Sequence, residues 1–417
     1  MWKLEKQKKF YSFVAQGETM STPFLSMSKQ QRTGLILTIS ILFIDMLLYS
    51  LLIPIVPYIT ELFHPSSTLT GVLFGSYAIA LLVATPFFGP LSDRISRKAT
   101  LLFGLVGLAV STILFASAHS MVVMIAARFV QGLAAAATWS AALALLADLF
   151  PAKMRGPIMG MALTAISTGS LLGAPLGGLI HQLGGYQMPF LLATGLTLLN
   201  IVGVFALLPK QAIQEQKKLK LSAFLRNRQV IAIACFVLLG EMSLCLLEPL
   251  LPVFLTDRLA TTSMIIGLLF GAMTLAYGLV APLAGTLVNR FSPYRLMALG
   301  AVCLALCMPL LGFVHTLWQA GIVMVLIGAS AGFSLSPTLS TLGSVVERDG
   351  GGAYGAAYAI FNMFHGIGIV LGPLVGGVLT DLITTPGAFM TMSGCILVVC
   401  LLIFGLLRQR QGEGNPF

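Results

Sequence analysis

Two carboxylates, Glu241 and Glu248, lie seven residues apart in an otherwise apolar segment that is long enough to cross a bilayer. A third acid, Asp45, interrupts an equally apolar segment nearer the N-terminus. A charged residue at mid-membrane costs about 2.5–3.5 kcal/mol on insertion scales, so such residues usually face a bundle interior or a wet cavity and are functional. Buried acids that take up and release protons indicate proton-coupled transport.

The spacing of the two glutamates predicts that they share one face of a helix. Seven residues are two helical turns, which separates the side chains by about 10 Å. Removal from water favours the protonated form of a carboxyl group, whereas an approaching cation favours release of the proton. Each glutamate is therefore a candidate site at which a proton is exchanged for a cation. The alternative is a neutral acid that is hydrogen-bonded in the core.

Asp45 and Arg128 are the other charged residues inside predicted membrane segments. Asp45 lies about twelve residues into its segment, which is close to mid-membrane at about 1.5 Å per residue. There it would pair with a cationic amine or, alternatively, with Arg128. Arginine keeps its proton in proteins. Arg128 would therefore tune the nearby acids or act as a gate, unless it serves only in a structural ion pair.

The elements that must position these residues are membrane-spanning helices. Of the 417 residues, 57% are hydrophobic and 9% are charged, whereas soluble domains are roughly 25% charged. Apolar stretches of about 20 residues recur along the chain. They predict twelve spans and hence an all-α bundle in the lipid bilayer, at 33–60, 69–90, 99–118, 121–147, 157–181, 187–208, 229–256, 263–288, 296–314, 316–345, 353–380 and 387–407.

The net charge of +10 follows membrane topology and does not indicate nucleic-acid binding. Of the 24 lysines and arginines, 22 fall in the termini or in alternate loops, with Arg258 on the opposite side and Arg128 inside a span. The positive-inside rule then places both termini in the cytoplasm. The six cysteines all lie in predicted spans and form no C-x-x-C pair, so neither a disulfide framework nor a metal site is indicated.

The chain contains an internal repeat. Three segments recur in order: PIVPYIT from Pro54 as PLLPVFLT from Pro249, GPLSDR from Gly89 as GTLVNR from Gly285, and GSLLGAPLGG from Gly169 as GIVLGPLVGG from Gly368. The near-constant offset predicts two six-helix halves, 33–208 and 229–407, with an arm at 1–32, a central loop at 209–228 and a tail at 408–417. Halves with six helices each have the same orientation, so the substrate site is expected between them near the midplane.

Over essentially the whole chain, these motifs resemble the major facilitator superfamily. GPLSDRISRK from Gly89 is similar to its loop signature between the second and third helices, RFVQG from Arg128 to its fourth-helix motif, and GSLLGAPLGG from Gly169 to its fifth-helix antiporter motif. Asp45 followed by Pro54 and Pro57, together with Glu248-Pro249, most resembles the drug:proton antiporters, in the branch of the vesicular monoamine transporters and their bacterial relatives.

The resemblance implies a monomeric twelve-helix antiporter in the plasma or inner membrane, without cofactor or metal. Its partners would be protons and small organic cations (monoamines, aromatic amines and lipophilic drugs), exchanged by alternating access. One alternative is a proton-coupled transporter of a neutral solute. Another is an integral membrane enzyme, although no nucleophile–base arrangement or soluble catalytic domain supports it.

The resemblance also implies individual site residues. Phe74 and Tyr277 match aromatic pocket positions and Phe254 is similar to another, so these rings would form a cation–π box unless they only pack. Tyr77 and Asn362 stand where the vesicular transporters carry a lysine and an aspartate, and His365 replaces an aromatic residue. Asn362 and His365 are expected to contact the substrate, and His365 would either titrate or only form a hydrogen bond. Glu241 is an additional acid. Proton coupling would therefore be displaced towards the seventh span.

A last group is expected to control conformation rather than to contact substrate. Asp93, Arg94 and Arg97 would lie at the cytoplasmic surface and hold the two halves together in one state, with Asp148 as a further member. Gly173 and Pro175 belong to the fifth-span motif, whose glycines allow close helix packing on which alternation would depend.

Overall fold

A computed structural model describes residues 27–208, 227–288, 290–348 and 354–408. Most of the expected arm, central loop and tail lies outside these ranges, so their boundaries stay predictions.

Within the described ranges, twelve helices are long and apolar enough to cross a membrane, and no strand is found there. This result confirms the all-helical bundle, and the predicted span ends agree with the helices to within five residues. The helices are α1 (Lys29–Phe63), α2 (Ser67–Arg94), α3 (Arg97–Ala116), α4 (Met121–Leu149), α5 (Ala152–Gly184), α6 (Gln187–Leu207), α7 (Arg228–Leu259), α8 (Ser263–Leu287), α9 (Pro293–Cys307, continued by a 3₁₀ turn Met308–Phe313), α10 (Leu317–Arg348), α11 (Tyr354–Ile383) and α12 (Thr385–Arg408).

Short polar residues define where several helices begin. The side chains of Ser66, Ser96, Ser120 and Thr262 each accept a hydrogen bond from a backbone N–H in the first turn of α2, α3, α4 and α8. At the start of α1, Ser28 and Gln31 form a reciprocal capping box. These caps satisfy N–H groups that a helix leaves unpaired at its N-terminus.

Helix α1 is interrupted shortly after Asp45. The α-helix Lys29–Leu51 passes through a 3₁₀ turn, Ile53–Ile55, into the helix Val56–Phe63. Pro54 and Pro57 cause the break because proline has no N–H to donate and its ring clashes with the preceding turn.

We call α1–α6 the N-terminal half and α7–α12 the C-terminal half. Close contacts between these two groups of helices occur at one end of the bundle. We call the end that carries Arg94, Arg97 and Arg155 the basic end, and the other the distal end. Near the distal end, a methyl group at Gly71 of α2 would overlap the carbonyl oxygen of Pro373 in α11. In the same way, a methyl group at Gly178 of α5 would overlap the carbonyl oxygen of Ser263 in α8.

The same helix faces are free at the basic end. Gly89 and Gly160 lie eighteen residues from Gly71 and Gly178, which is five helical turns and therefore the same face. A methyl group at Gly89 or Gly160 would meet nothing within 4 Å. These faces of α2 and α5 therefore pack on the opposite half at the distal end, whereas at the basic end they face open space, which we call the cavity.

Candidate functional site

Asp45 is held by aromatic donors in the N-terminal half. Its side chain is 2% exposed. The indole N–H of Trp139 in α4 and, more weakly at 3.5 Å, the hydroxyl of Tyr77 in α2 both donate to Oδ2. Oδ1 has no hydrogen-bond partner in the structure. One carboxylate oxygen is therefore held by two donors, and the other is buried without a hydrogen-bond partner.

Arg128 lies among aromatic rings rather than against an acid. Its guanidinium is buried and donates through Nη1 to Oε1 of Gln131 at 2.7 Å. The rings of Tyr49, Phe74 and Tyr77 face it at 5.3–5.6 Å, within the range of cation–π attraction. In the part of the chain that the structure describes, no salt bridge joins Arg128 to a carboxylate. The alternative ion pair with Asp45 is not formed here.

Glu248 links the two halves. Its Oε2 accepts a hydrogen bond of 2.7 Å from the hydroxyl of Tyr49. Tyr49 belongs to α1 and Glu248 to α7, so this bond crosses the interface between the halves near the middle of both helices. The Tyr49 ring also packs on Tyr77, with 5.1 Å between the centroids.

Glu241 belongs to a separate group within the C-terminal half. Its Oε1 lies 3.1 Å from Nδ1 of His365 in α11, at ion-pair distance but without hydrogen-bond geometry. The His365 ring stacks on Phe361 at 5.7 Å, and Tyr277 of α8 interacts electrostatically with Glu241. The two side chains of the pair are 14% and 36% exposed, so both are within reach of the cavity.

The cavity between the halves is also bordered by Asn362. Gly366 of α11 packs against α2, whereas Gly368 and Gly372 pack against α7. On a helical projection with 3.6 residues per turn, Asn362 and His365 lie at the edge between these two rows. Because α2 and α7 belong to different halves, this edge of α11 faces the cavity.

Two of the predicted aromatic residues are already engaged elsewhere. Phe74 is buried against Arg128. Phe254 lies near the distal end of α7, where its ring contacts Phe389 edge-on. The guanidinium of Arg258 lies over the Phe254 ring, 5.6 Å from the centroid. The structure does not bring Phe254 together with the acids, whereas Tyr277 of α8 is close enough to Glu241 for an electrostatic interaction.

The residues expected to control conformation contact one another within the N-terminal half. Arg97 forms ion pairs with Asp93 and, at 2.9 Å, with Asp148, while Arg94 is exposed. This network therefore ties α2 to α3 and α4 but does not bridge the halves in this state. Of the fifth-helix pair, Gly173 packs on α1, and Pro175 packs on Gly267 and Gly271 of α8, across the interface.

Sequence reasoning missed Tyr49 and Trp139 and included Gln131 only as part of the fourth-helix motif, although helical periodicity carried a signal for each. Tyr49 is four residues after Asp45, so both lie on one face of α1. Gln131 and Trp139 follow Arg128 by three and eleven residues, which are about one and three turns. Each of the three side chains forms a hydrogen bond with a charged group that the sequence had identified.

The chain is similar to known membrane transporters. The family model described as the Major Facilitator Superfamily matches residues 38–246 and 231–416. The chain is 28% identical over 351 residues to the chromaffin granule amine transporter of Rattus norvegicus, covering 81% of this chain and 66% of that protein. It is 27% identical over 329 residues to the synaptic vesicular amine transporter of Homo sapiens, covering 78% and 64%. The chain thus spans just under two thirds of the length of these relatives.

The fold is also similar to solved transporter structures. One is a bacterial homologue of the human lysosomal transporter Spinster in an inward-facing, occupied conformation. It superposes with a TM-score of 0.82 at 12% identity, covering 94% of this chain and 100% of that one.

Proposed function

Because the chain belongs to the Major Facilitator Superfamily, and is accordingly a multi-pass membrane transporter and not an enzyme, we propose that it exports cationic amines and lipophilic drugs in exchange for protons. In this proposal the basic end faces the cytoplasm, the protein acts as a monomer in the cell membrane, and the structure represents the inward-facing state. The amine transporters among its relatives support an organic cation as the substrate.

The observation that carries the proposal is that acidic residues outnumber basic residues in the interior. Asp45 lies in the N-terminal half, Glu248 at the interface between the halves and Glu241 in the C-terminal half. Among the described residues, Arg128 is the one buried lysine or arginine that lies inside a membrane-spanning helix rather than at its end. Buried charges are stable only when they are compensated. Protons compensate these acids in one half of the cycle, and a cationic substrate replaces them in the other.

The geometry around Asp45 supports a role for this acid as the substrate ligand. The unpartnered Oδ1 of Asp45 would accept a hydrogen bond from an ammonium group. Because Trp139 and Tyr77 donate to Oδ2, they support the charged form of the carboxylate, to which a cation binds. Trp139 and Tyr77 would therefore position Asp45 rather than bind the amine.

Glu248 and the Glu241–His365 pair would carry the protons. From the cytoplasmic side, an entering amine displaces a proton from Asp45 or Glu248. After the halves have moved so that the site opens towards the distal end, protons from that side displace the amine. Glu241 would exchange a second proton, because it lies 3.1 Å from His365 in the C-terminal half, in a group separate from Asp45.

Proteoliposomes test this proposal directly. The purified protein should accumulate radiolabelled tyramine in vesicles with an acidic lumen, and tyramine added to vesicles without a gradient should drive protons the opposite way. The matched control is 4-ethylphenol, which keeps the ring and the hydroxyl but lacks the amine. Equal proton movement with 4-ethylphenol would favour the transporter of a neutral solute, and uptake that ignores the pH gradient would contradict proton coupling.

A further inference from the structure

We propose that the Tyr49–Glu248 hydrogen bond is a lock that prevents the empty, deprotonated carrier from changing conformation. The inference rests on the proposed proton exchange at Glu248. It adds a specific role for Tyr49, a residue that lies outside the expected binding groups.

The position of the bond gives it control over the distal end. Beyond Tyr49, the segment Ile53–Phe63 of α1 remains in contact with α7 up to the distal end. To open that end, α1 must separate from α7, since the two helices belong to different halves. The bond between Tyr49 and Glu248 therefore lies at the apex of the cavity, where the separation has to pass.

The chemistry of the bond makes the lock sensitive to the state of the carrier. The tyrosine hydroxyl donates, and an ionised carboxylate is a far stronger acceptor than a protonated one. The other titratable or charged groups that interact with Glu248 are Arg128 of α4 and Cys245 and Glu241 of its own helix. A proton on Glu248, or an amine bound to it, weakens the bond and allows the halves to move.

Tyr49 is also fixed in place on its own half. Its ring lies over the guanidinium of Arg128 at 5.5 Å and against the ring of Tyr77. Phenylalanine keeps both ring contacts and removes only the hydroxyl. Tyr49→Phe should therefore leave the fold and the packing around Arg128 intact while it abolishes the bond between the halves.

The consequence of the lock is tight coupling. An antiporter whose empty carrier crosses the membrane returns without substrate, so protons leak down their gradient. A hydrogen bond to an ionised group changes an equilibrium by about 10- to 100-fold, which is about 1.4–2.8 kcal/mol at 1.4 kcal/mol per tenfold. The Tyr49→Phe protein should show a protein-dependent, amine-free proton leak that is larger than that of the wild type by a factor in this range.

The experiment measures proton leakage from proteoliposomes that contain a pH-sensitive dye, with the membrane potential clamped by potassium and valinomycin. The matched control is Tyr186→Phe, which removes the hydroxyl of a tyrosine that donates a hydrogen bond to the backbone carbonyl of Phe115 within the N-terminal half. We expect wild type and Tyr186→Phe to show little leak and Tyr49→Phe to leak. A tight Tyr49→Phe protein, or an equal leak in both variants, would overturn the lock.

The same vesicles separate this inference from the proposed function. Wild-type protein that exchanges no protons for tyramine refutes the proposed function itself. Wild-type protein that exchanges them, beside a tight Tyr49→Phe variant, refutes only the role of Tyr49.

A second measurement covers the case in which Tyr49→Phe does not fold. Glu248→Gln weakens the same bond from the other side, because an amide is a poorer acceptor than a carboxylate. Spin labels on noncanonical residues at Gly156 and Gly285, both exposed and in opposite halves, report opening of the basic end. At alkaline pH the wild type should be mostly inward-facing and Glu248→Gln should be less so. An equal inward-facing fraction would contradict the lock.

Discussion

Replacement of Glu241 by glutamine should make transport insensitive to membrane voltage without abolishing it. The structure places Glu241 beside His365, on the half of the molecule that holds neither Asp45 nor Arg128. If Glu241 and Glu248 each carry one proton against one monovalent amine, each cycle moves one net charge. Without the Glu241 carboxylate, one proton exchanges for one amine and the cycle is electrically silent.

The size of the effect follows from the charge that is moved. One elementary charge in a potential of about 100 mV is worth about 2.3 kcal/mol. At about 1.4 kcal/mol per tenfold, this multiplies the attainable amine gradient by roughly fifty. The pH gradient contributes about 1.4 kcal/mol per pH unit for each proton, and the variant should keep this contribution for a single proton.

The assay is tyramine uptake into vesicles with a fixed pH gradient, with and without an imposed potassium diffusion potential. The control is Asp257→Asn, which removes an exposed acid of the same helix near the distal end. Wild type and Asp257→Asn should respond to the potential, and Glu241→Gln should not.

A Glu241→Gln protein that keeps the full voltage response would refute the reasoning, because Glu241 would then carry no coupled proton. In that case His365→Gln distinguishes the remaining explanations. Loss of the voltage response in His365→Gln alone would assign the second proton to the imidazole, and its persistence in both variants would leave the pair with a packing or substrate role.

Three further outcomes are expected. Asp45→Asn should abolish transport and weaken amine binding by at least about tenfold while the protein stays folded, since a charge-assisted bond to Oδ1 is lost; wild-type affinity for labelled tyramine would remove Asp45 from the site. Glu248→Gln should block proton-driven uptake but permit amine exchange, because a neutral side chain has no proton to release; equal loss of both activities would indicate a structural role. Gly71→Val should disfavour the inward-facing state by overlap with α11, whereas Gly89→Val, on the same face, should not; inter-half distances check both, and equal distances in the two variants would contradict the assigned opening.

The repeat and the spans could be predicted from the sequence because they depend on local properties. A span is recognised from about 20 consecutive apolar residues, since a backbone in lipid must satisfy its own hydrogen bonds as a helix. The break in α1 was also encoded locally, by Pro54 and Pro57. The charged residues Asp45, Glu241 and Glu248 stood out for the same reason, because each interrupts an apolar stretch.

The partners of the charged residues depended on tertiary structure. Trp139 is 94 residues from Asp45 and Tyr49 is 199 residues from Glu248, so only the packing of distant helices brings them together. Arg128 is surrounded by rings instead of pairing with Asp45, which no spacing along one helix indicates. Phe254, which resembled a pocket residue, lies against Phe389 and Arg258 because α7 carries it beyond the acids towards the distal end.

The direction in which the cavity opens likewise could not come from the sequence. In this structure the glycine-lined faces of α2 and α5 pack closely at the distal end and are open at the basic end, although glycines occur at both ends of each face. The free-energy difference between a bundle open at the basic end and one open at the distal end is a small sum over many contacts between the halves. It therefore cannot be assigned to any one segment of the sequence. The sequence therefore determined which residues carry charge into the membrane. The tertiary structure determined which of them meet across the interface, with Tyr49 and Glu248 in contact and Asp45 left with one free oxygen.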